Sequence, residues 1–208
     1  MFSKIKKLYL NMQSIISFIK RKILRDPRER WNYQFATGRW DGLRNPVEQE
    51  RLGKTADLVR ELTPPQYLPS ILEIGCGEGF FRHYLSSKDF KTFLGTDLST
   101  VAIDHACQHF GDEKTEFMAA DMHLFLPNEQ YDFIIFNECV YYTSDVVALV
   151  KRYFPYLKPD GYLIISIHHN FKAHQQLWDK ILSITSKIEE KTVANSYDTW
   201  DIRALKPL

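Results

Sequence analysis

The run Glu73-Ile74-Gly75-Cys76-Gly77-Glu78-Gly79 places three glycines at alternate positions behind an acidic residue. Glycine closes a tight turn, and its missing side chain lets a ligand come close to the backbone. Further on, Asp97 ends the apolar run Thr92-Phe93-Leu94-Gly95-Thr96, where it is placed to accept hydrogen bonds from ribose hydroxyls. A dinucleotide site would read Gly-x-Gly-x-x-Gly. Here residue 80 is Phe, and neither glycine nor alanine stands where the third dinucleotide glycine belongs. Groups able to move a proton lie at two later turns. One is Glu138 in Asn137-Glu138-Cys139-Val140-Tyr141-Tyr142, and the other is the pair His168-His169 before Asn170. Histidine suits base work near neutral pH because its ordinary pKa is about 6.5.

These residues need elements to position them, and the chain supplies an alternation. Short apolar runs, expected as strands, cover Ser70 to Ile74, Thr92 to Asp97, Thr115 to Ala119, Tyr131 to Phe136 and Tyr162 to Ile167. Helical stretches lie between them at Phe80 to Ser86, Thr100 to Phe110 and Asp145 to Leu157, with the turn Lys158-Pro159-Asp160-Gly161 before the fifth run. One more helix is expected around Ala173 to Ile188, then two weaker strands near Lys191–Ala194 and Trp200–Leu205. Continuous apolar strands alternating with helices indicate a parallel sheet covered on both faces. The expected fold is therefore α/β, Rossmann-like and doubly wound, with a seven-stranded, mostly parallel sheet. In such sheets ligands bind at the C-terminal strand ends, where strand order reverses. The glycines and acids stand at those ends, and a helix starting near Phe80 would aim its amides at the ligand.

At this point the motifs resemble those of class I S-adenosylmethionine-dependent methyltransferases. Glu73-x-Gly75-x-Gly77-x-Gly79 is similar to that family's signature turn, and Asp97 in Gly95-Thr96-Asp97-Leu98-Ser99 to its ribose-binding acid. Ala120-Asp121-Met122 resembles its adenine-contacting segment, Tyr131-Asp132-Phe133-Ile134-Ile135 its fourth strand, and Leu157-Lys158-Pro159-Asp160-Gly161-Tyr162-Leu163 the turn into its fifth. The matches run in order over roughly residues 70–167. The resemblance implies that Gly75, Cys76, Gly77 and Gly79 bring backbone to the methionine part of the cofactor, with Glu73 orienting it. It implies that Asp97 holds the ribose, that Leu98 packs on the adenine, and that Asp121 accepts from the adenine amino group beside the Met122 backbone. Asn137 would approach the methionine amine through its carbonyl.

A sulfonium methyl is already electrophilic, so the protein mainly aligns the acceptor and excludes water. A hydroxyl acceptor also gains from a general base, for which His168, His169 and Glu138 are the candidates. Tyr141 and Tyr142, with Tyr33 and Trp40, are expected to line the acceptor site. The stretch Gln34-Phe35-Ala36-Thr37-Gly38-Arg39-Trp40-Asp41, together with Asn137-Glu138 and Tyr141-Tyr142 after the fourth strand, resembles small-molecule methyltransferases of sugar and nodulation-factor type. Methyl transfer to oxygen or nitrogen of a sugar or glycolipid-type small molecule is the expectation. A protein methyltransferase and a non-catalytic S-adenosylmethionine-binding module are the open alternatives.

Charge divides the chain in two. Residues 1–30 hold nine Lys and Arg against Asp26 and Glu29, which leaves 18 basic and 24 acidic residues for 31–208. An acidic body without a basic groove disfavours nucleic acid. Apolar residues at Phe2, Ile5, Tyr9, Met12, Ile16, Ile19 and Ile23 recur every three or four positions, an amphipathic helix that Asp26-Pro27 should end. Two readings of that helix stay open: peripheral contact of residues 1–25 with an anionic membrane, or docking on the body or another subunit. The expected division is thus a basic helical extension over 1–30 and a methyltransferase domain over 31–208, with an aromatic lid segment at 31–62. The three cysteines, Cys76, Cys107 and Cys139, show no metal-ligand spacing, so no metal site is expected and a reduced, cytoplasmic setting fits. Neither a transmembrane helix nor a signal peptide is expected.

Overall fold

The computed structural model describes residues 25–169, 172–194 and 198–208, together with Ile16, Ile19, Lys20 and Lys22. Seven strands form one sheet: β1 (Ser70–Ile74), β2 (Thr92–Asp97), β3 (Thr115–Ala119), β4 (Tyr131–Asn137), β5 (Leu157–His168), β6 (Thr185–Ala194) and β7 (Thr199–Pro207). Their order is β3-β2-β1-β4-β5-β7-β6. The pairs from β3 to β5 are parallel, while β7 runs antiparallel to both β5 and β6. The expected Rossmann-like sheet is present, and strand order reverses between β1 and β4.

Helices α1 (Pro27–Ala36), α2 (Pro46–Leu62), α3 (Thr100–Phe110), α4 (Val146–Tyr153) and α5 (Lys172–Leu182) complete the layers. Because alternate side chains leave a strand on opposite faces, two cores form. Ile71, Phe93, Phe117, Phe133, Ile135 and Ile164 meet Leu52, Ala56 and Val59 of α2 and Ile103 and Ala106 of α3. Leu72, Ile74, Ile134, Phe136, Leu163 and Ile165 meet Leu149, Val150 and Tyr153 of α4 and Trp178 and Ile181 of α5.

Several boundaries differ from expectation. The helix beginning at Phe80 is a short 3-10 helix, Phe80–Tyr84, which stops where Leu85 turns extended. It lacks the aligned amides of a full α-helix. Helix α4 ends at Tyr153 in a further 3-10 turn around Pro155, which has no amide to continue the helix. The segment expected as one helix to Ile188 breaks after Leu182, and β6 begins at Thr185. That edge strand exposes residues 186–189 in succession and is irregular between Lys187 and Glu189, so it shows no alternation in sequence. Residues 31–62, expected as an aromatic lid segment, contain most of α1 and all of α2. Asp26 caps α1, its Oδ1 accepting from the amides of Arg28 (2.9 Å) and Glu29 (3.4 Å). Most of the amphipathic stretch from Phe2 to Leu24 lies outside the described residues. No described helix is long and apolar enough to cross a membrane.

Candidate functional site

A cavity of about 770 Å³ opens over the C-terminal ends of β1, β2, β4 and β5 and under the N-terminal segment. Its size falls within the roughly 300–1,000 Å³ of small-molecule sites. The glycine turn forms part of the floor. Gly75 has φ +71°, and a Cβ there would stand 2.7 Å from the Cβ of Cys139, so backbone conformation and close approach both demand glycine. Asp97 ties the turn to β2: its Oδ2 accepts from Gly77 N at 3.0 Å and its Oδ1 from Ser99 N at 2.8 Å. Burial raises the Asp97 carboxyl above its ordinary value, and these backbone donors oppose the rise.

Glu73 is 1% exposed. Its Oε1 accepts from Asn137 Nδ2 at 2.8 Å, while its Oε2 is buried with no hydrogen-bond partner among the described residues. Burial pushes this carboxyl up to about 8, against the pull of Asn137 and the nearby Arg51 charge. A buried carboxyl oxygen without a partner is costly, and its carboxylate form more so. Its environment calls for a cation or an N–H group in the cavity. Arg51, 2% exposed on α2, completes this floor. Its Nε donates to Glu48 Oε2 (2.9 Å), and its Nη1 to Ser166 Oγ (3.2 Å) and Asn137 Oδ1 (3.4 Å).

The adenine-segment residues Asp121 and Met122 line the cavity with Leu98. Asp121 Oδ1 accepts from His123 N at 2.8 Å, shaping the turn, and the Met122 carbonyl accepts from the Tyr153 hydroxyl at 2.8 Å. At the other end stands Glu138, in the left-handed region with φ +54°. Its Oε1 accepts from Ser166 Oγ (3.0 Å) and its Oε2 from His168 N and the Tyr141 hydroxyl (both 3.1 Å). Strain of this kind persists where the surroundings over-determine it, and it clusters at functional sites. Burial raises the Glu138 carboxyl, and burial with the Glu138 charge raises the Tyr141 phenol. His168 Nε2 lies 2.8 Å from Asp198 Oδ1, and His174 Nδ1 lies 2.7 Å from the His168 carbonyl. The His174 ring stacks on Tyr141 at 4.7 Å.

The roof is aromatic. Trp31 stacks on Trp40 (5.6 Å) and meets Tyr142 edge-on (4.8 Å), and the Phe35 ring would touch a Cβ at Gly77 (3.5 Å). Two polar ties hold this roof to the body. Asn32 Oδ1 accepts from Ser99 Oγ at 2.9 Å, and Arg44 Nη2 lies 3.1 Å from Glu78 Oε2, whose carboxylate also meets His105 Nδ1 at 2.6 Å.

Three expected site residues do not line the cavity. Tyr33 sits two residues from both Trp31 and Phe35 on α1, hence on the opposite helix face, and is about half exposed. The Cβ position of Gly79 abuts Phe117 and Ala106, so Gly79 serves packing beneath the turn. His169 follows His168 in extended chain and faces the other way, its Nδ1 2.9 Å from Asp201 Oδ2. Sequence reading missed Arg51, Glu48, His174 and Asp198. Arg51 had a signal, a charge on the same helix stripe as Leu52, Thr55 and Ala56. Asp198 and His174 had none, since only folding carries the tail back over β5.

With this geometry in place, comparison with known proteins identifies the family. A family model described as "Methyltransferase domain" matches residues 47–201. The chain belongs to that methyltransferase family. Among similar proteins, the malonyl-[acyl-carrier protein] O-methyltransferase of Priestia megaterium is 30% identical over 102 residues, 49% of this chain and 37% of that protein. The phosphoethanolamine N-methyltransferase of Triticum aestivum is 30% identical over 109 residues, 51% of this chain and 21% of that protein. The chain therefore spans well under half the length of these relatives. In structure, the methyltransferase chain resembles the N-methyltransferase NodS from Bradyrhizobium japonicum WM9 in complex with S-adenosyl-L-homocysteine. The TM-score is 0.69, with 20% identity and coverage of 87% of this chain and 98% of that one. That likeness bears on the fold.

Proposed function

We propose that this chain is an S-adenosylmethionine-dependent methyltransferase acting on an oxygen or nitrogen of a small molecule, a sugar or a glycan or glycolipid precursor. The observation that carries the reading is the donorless Oε2 of Glu73 in the cavity floor, beside the glycine turn. An amino-acid ammonium is the group such an oxygen calls for, and Arg51 would take the carboxylate borne by the same carbon. Asp97, already oriented by Gly77, would hold the ribose hydroxyls. Leu98 would pack on the adenine, Asp121 would accept from its amino group beside the Met122 backbone, and the Asn137 carbonyl would face the methionine amine. When bound, this cofactor supplies an electrophilic methyl group on a sulfonium sulfur.

The remaining work belongs to the chain's own residues. The aromatic roof of Trp31, Phe35, Trp40 and Tyr142 is a lid that excludes water. Tyr141 and Tyr142 line the acceptor end, where two groups are placed to take the acceptor's proton. Glu138 is held by three neutral donors, and among the described residues no cation is bonded to its carboxylate. His168 has Asp198 at hydrogen-bond distance, and that carboxylate would stabilise the imidazolium once the proton is taken. A small acceptor is supported by the name phosphoethanolamine N-methyltransferase among the relatives. The sugar assignment rests on the aromatic segment and on Asn137-Glu138 with Tyr141-Tyr142.

Titration calorimetry with S-adenosylhomocysteine, followed by a screen of sugars, lipids and proteins with methyl-labelled cofactor, tests the proposal. Submillimolar binding and label in a sugar or glycolipid fraction are expected. Label in protein moves the chain to protein methylation, binding without turnover makes it a cofactor-binding module, and absence of binding overturns the reading.

A further inference from the structure

Ile16 and Ile19 lie on helical backbone and are 42% and 39% exposed, and Lys20 and Lys22 of the same stretch face solvent. A helix docked on the body would cover its apolar stripe. The stretch is tied to the start of α1, where the Asp26 amide donates to the Lys20 carbonyl at 2.9 Å and the Lys20 ammonium lies 3.7 Å from Glu29. Helix α1 then lends two exposed residues, Pro27 and Arg30, to the cavity wall. A different segment of that wall ends in His123, also exposed, and continues into Leu124 and Leu126, which are 74% and 62% exposed. Their exposure is built in. Met122 and Phe125 pack on the core, while the amides of Leu124 and Phe125 donate to the Asp121 carbonyl at 2.9 and 2.8 Å. The loop is thus pinned with both leucines outward.

We propose that this rim docks on an anionic bilayer. Ile16, Ile19, Leu124 and Leu126 enter the boundary between headgroups and acyl chains, and Lys20, Lys22, Arg25, Arg28 and Arg30 lie over anionic headgroups. Charge favours this occupant. Lys20, Lys22, Arg25, Arg28 and Arg30 are all exposed on this stretch, while 31–208 is net acidic, so this rim faces an anionic surface favourably. The paired leucines favour a lipid phase over an acidic protein, which would engage the basic groups without them. The acceptor would then reach the cavity from the bilayer as a lipid-linked molecule, an extension that rests on the glycolipid reading above.

Vesicle flotation of the full chain tests the surface. We expect flotation with vesicles containing phosphatidylglycerol, little with phosphatidylcholine alone, and release by high salt. The variant Leu124→Ser/Leu126→Ser should partition about tenfold less while binding S-adenosylhomocysteine as before, which also reports that it is folded. The proposal is overturned if the wild type stays with the unfloated protein, if it floats equally well on neutral vesicles, or if the serine variant floats as well as the wild type. Capture by an acidic carrier protein, or self-association on gel filtration, without vesicle binding would also sink it. Failure to bind S-adenosylhomocysteine would instead sink the methyltransferase reading and leave the vesicle result standing.

Discussion

At Glu73, stability and binding make opposite demands on one carboxyl. Burial has raised its pKa to about 8, so the free folded protein holds a proton that the unfolded chain releases near pH 4.5. The folded state therefore binds more protons between those values, and this group makes stability fall as pH rises through that window. A bound ammonium reverses the preference by favouring the carboxylate. Glu73→Gln is expected to raise the melting temperature of the ligand-free protein at pH 8 but not at pH 4, by roughly 2–4 °C for each kcal/mol relieved. It should also weaken S-adenosylhomocysteine binding and abolish the proton release that calorimetry in buffers of different ionisation enthalpy detects for the wild type at pH 7. Unchanged proton release would show that Glu73 is not the group meeting the ammonium. At the other end of the cavity, Glu138→Gln and His168→Asn should leave S-adenosylhomocysteine affinity within about twofold. One of the two should lower kcat toward the identified acceptor about 100-fold, the scale of a lost general base. Kinetics that spare both variants would remove acid–base catalysis from the proposal.

The element that covers the site is the N-terminal roof, α1 with the following 3-10 helix Asp41–Arg44. It rests on the body through Phe35 over the glycine turn, Asn32 at the start of α3 and Arg44 on Glu78. Because the Arg44 side chain is largely exposed, its ion pair contributes about 1 kcal/mol at most. Arg44→Ala is therefore expected to loosen the roof rather than unfold the domain. Amide exchange in α1 should accelerate, and S-adenosylhomocysteine should dissociate up to about fivefold faster in stopped flow. Exchange confined to wild-type rates would mean that the tie does not restrain the roof.

For the whole molecule, the two cores on either face of the sheet form a frame that carries the cavity-lining loops at one edge. A ligand that bridges β1, β2, β4 and the roof adds its binding energy to folding by mass action. At about 100 times Kd that amounts to about 2.7 kcal/mol, so S-adenosylhomocysteine should raise the melting temperature by roughly 5–10 °C. A dinucleotide should raise it negligibly, because the third glycine, which a dinucleotide site needs for close helix–strand packing, is Phe80 here. An equal rise with both ligands would contradict the reading of the glycine turn.

The strands that position the site were legible because their cause is local. Ser70–Ile74 and Tyr131–Asn137 are buried on both faces, which writes continuous apolar runs, and glycine at 75 and 77 follows from backbone angles the turn itself requires. The fold class and the family resemblance followed from such runs and turns, whereas the order of the strands came only from their pairing in the sheet. Other features depend on what the chain meets after folding. Arg51 is a site residue only because α2 packs its charged position against Asn137 and Ser166, and Asp198 only because β7 returns beside β5. Likewise, His168 faces the cavity and His169 does not, a distinction set by strand orientation that two adjacent letters cannot express. Sequence by itself determined the sheet, the glycine turn and its acids, since each rests on a residue's own conformational or burial preference. Tertiary structure alone decided which charges share the cavity and which aromatic rings roof it, because those are contacts between segments whose meeting no local preference encodes.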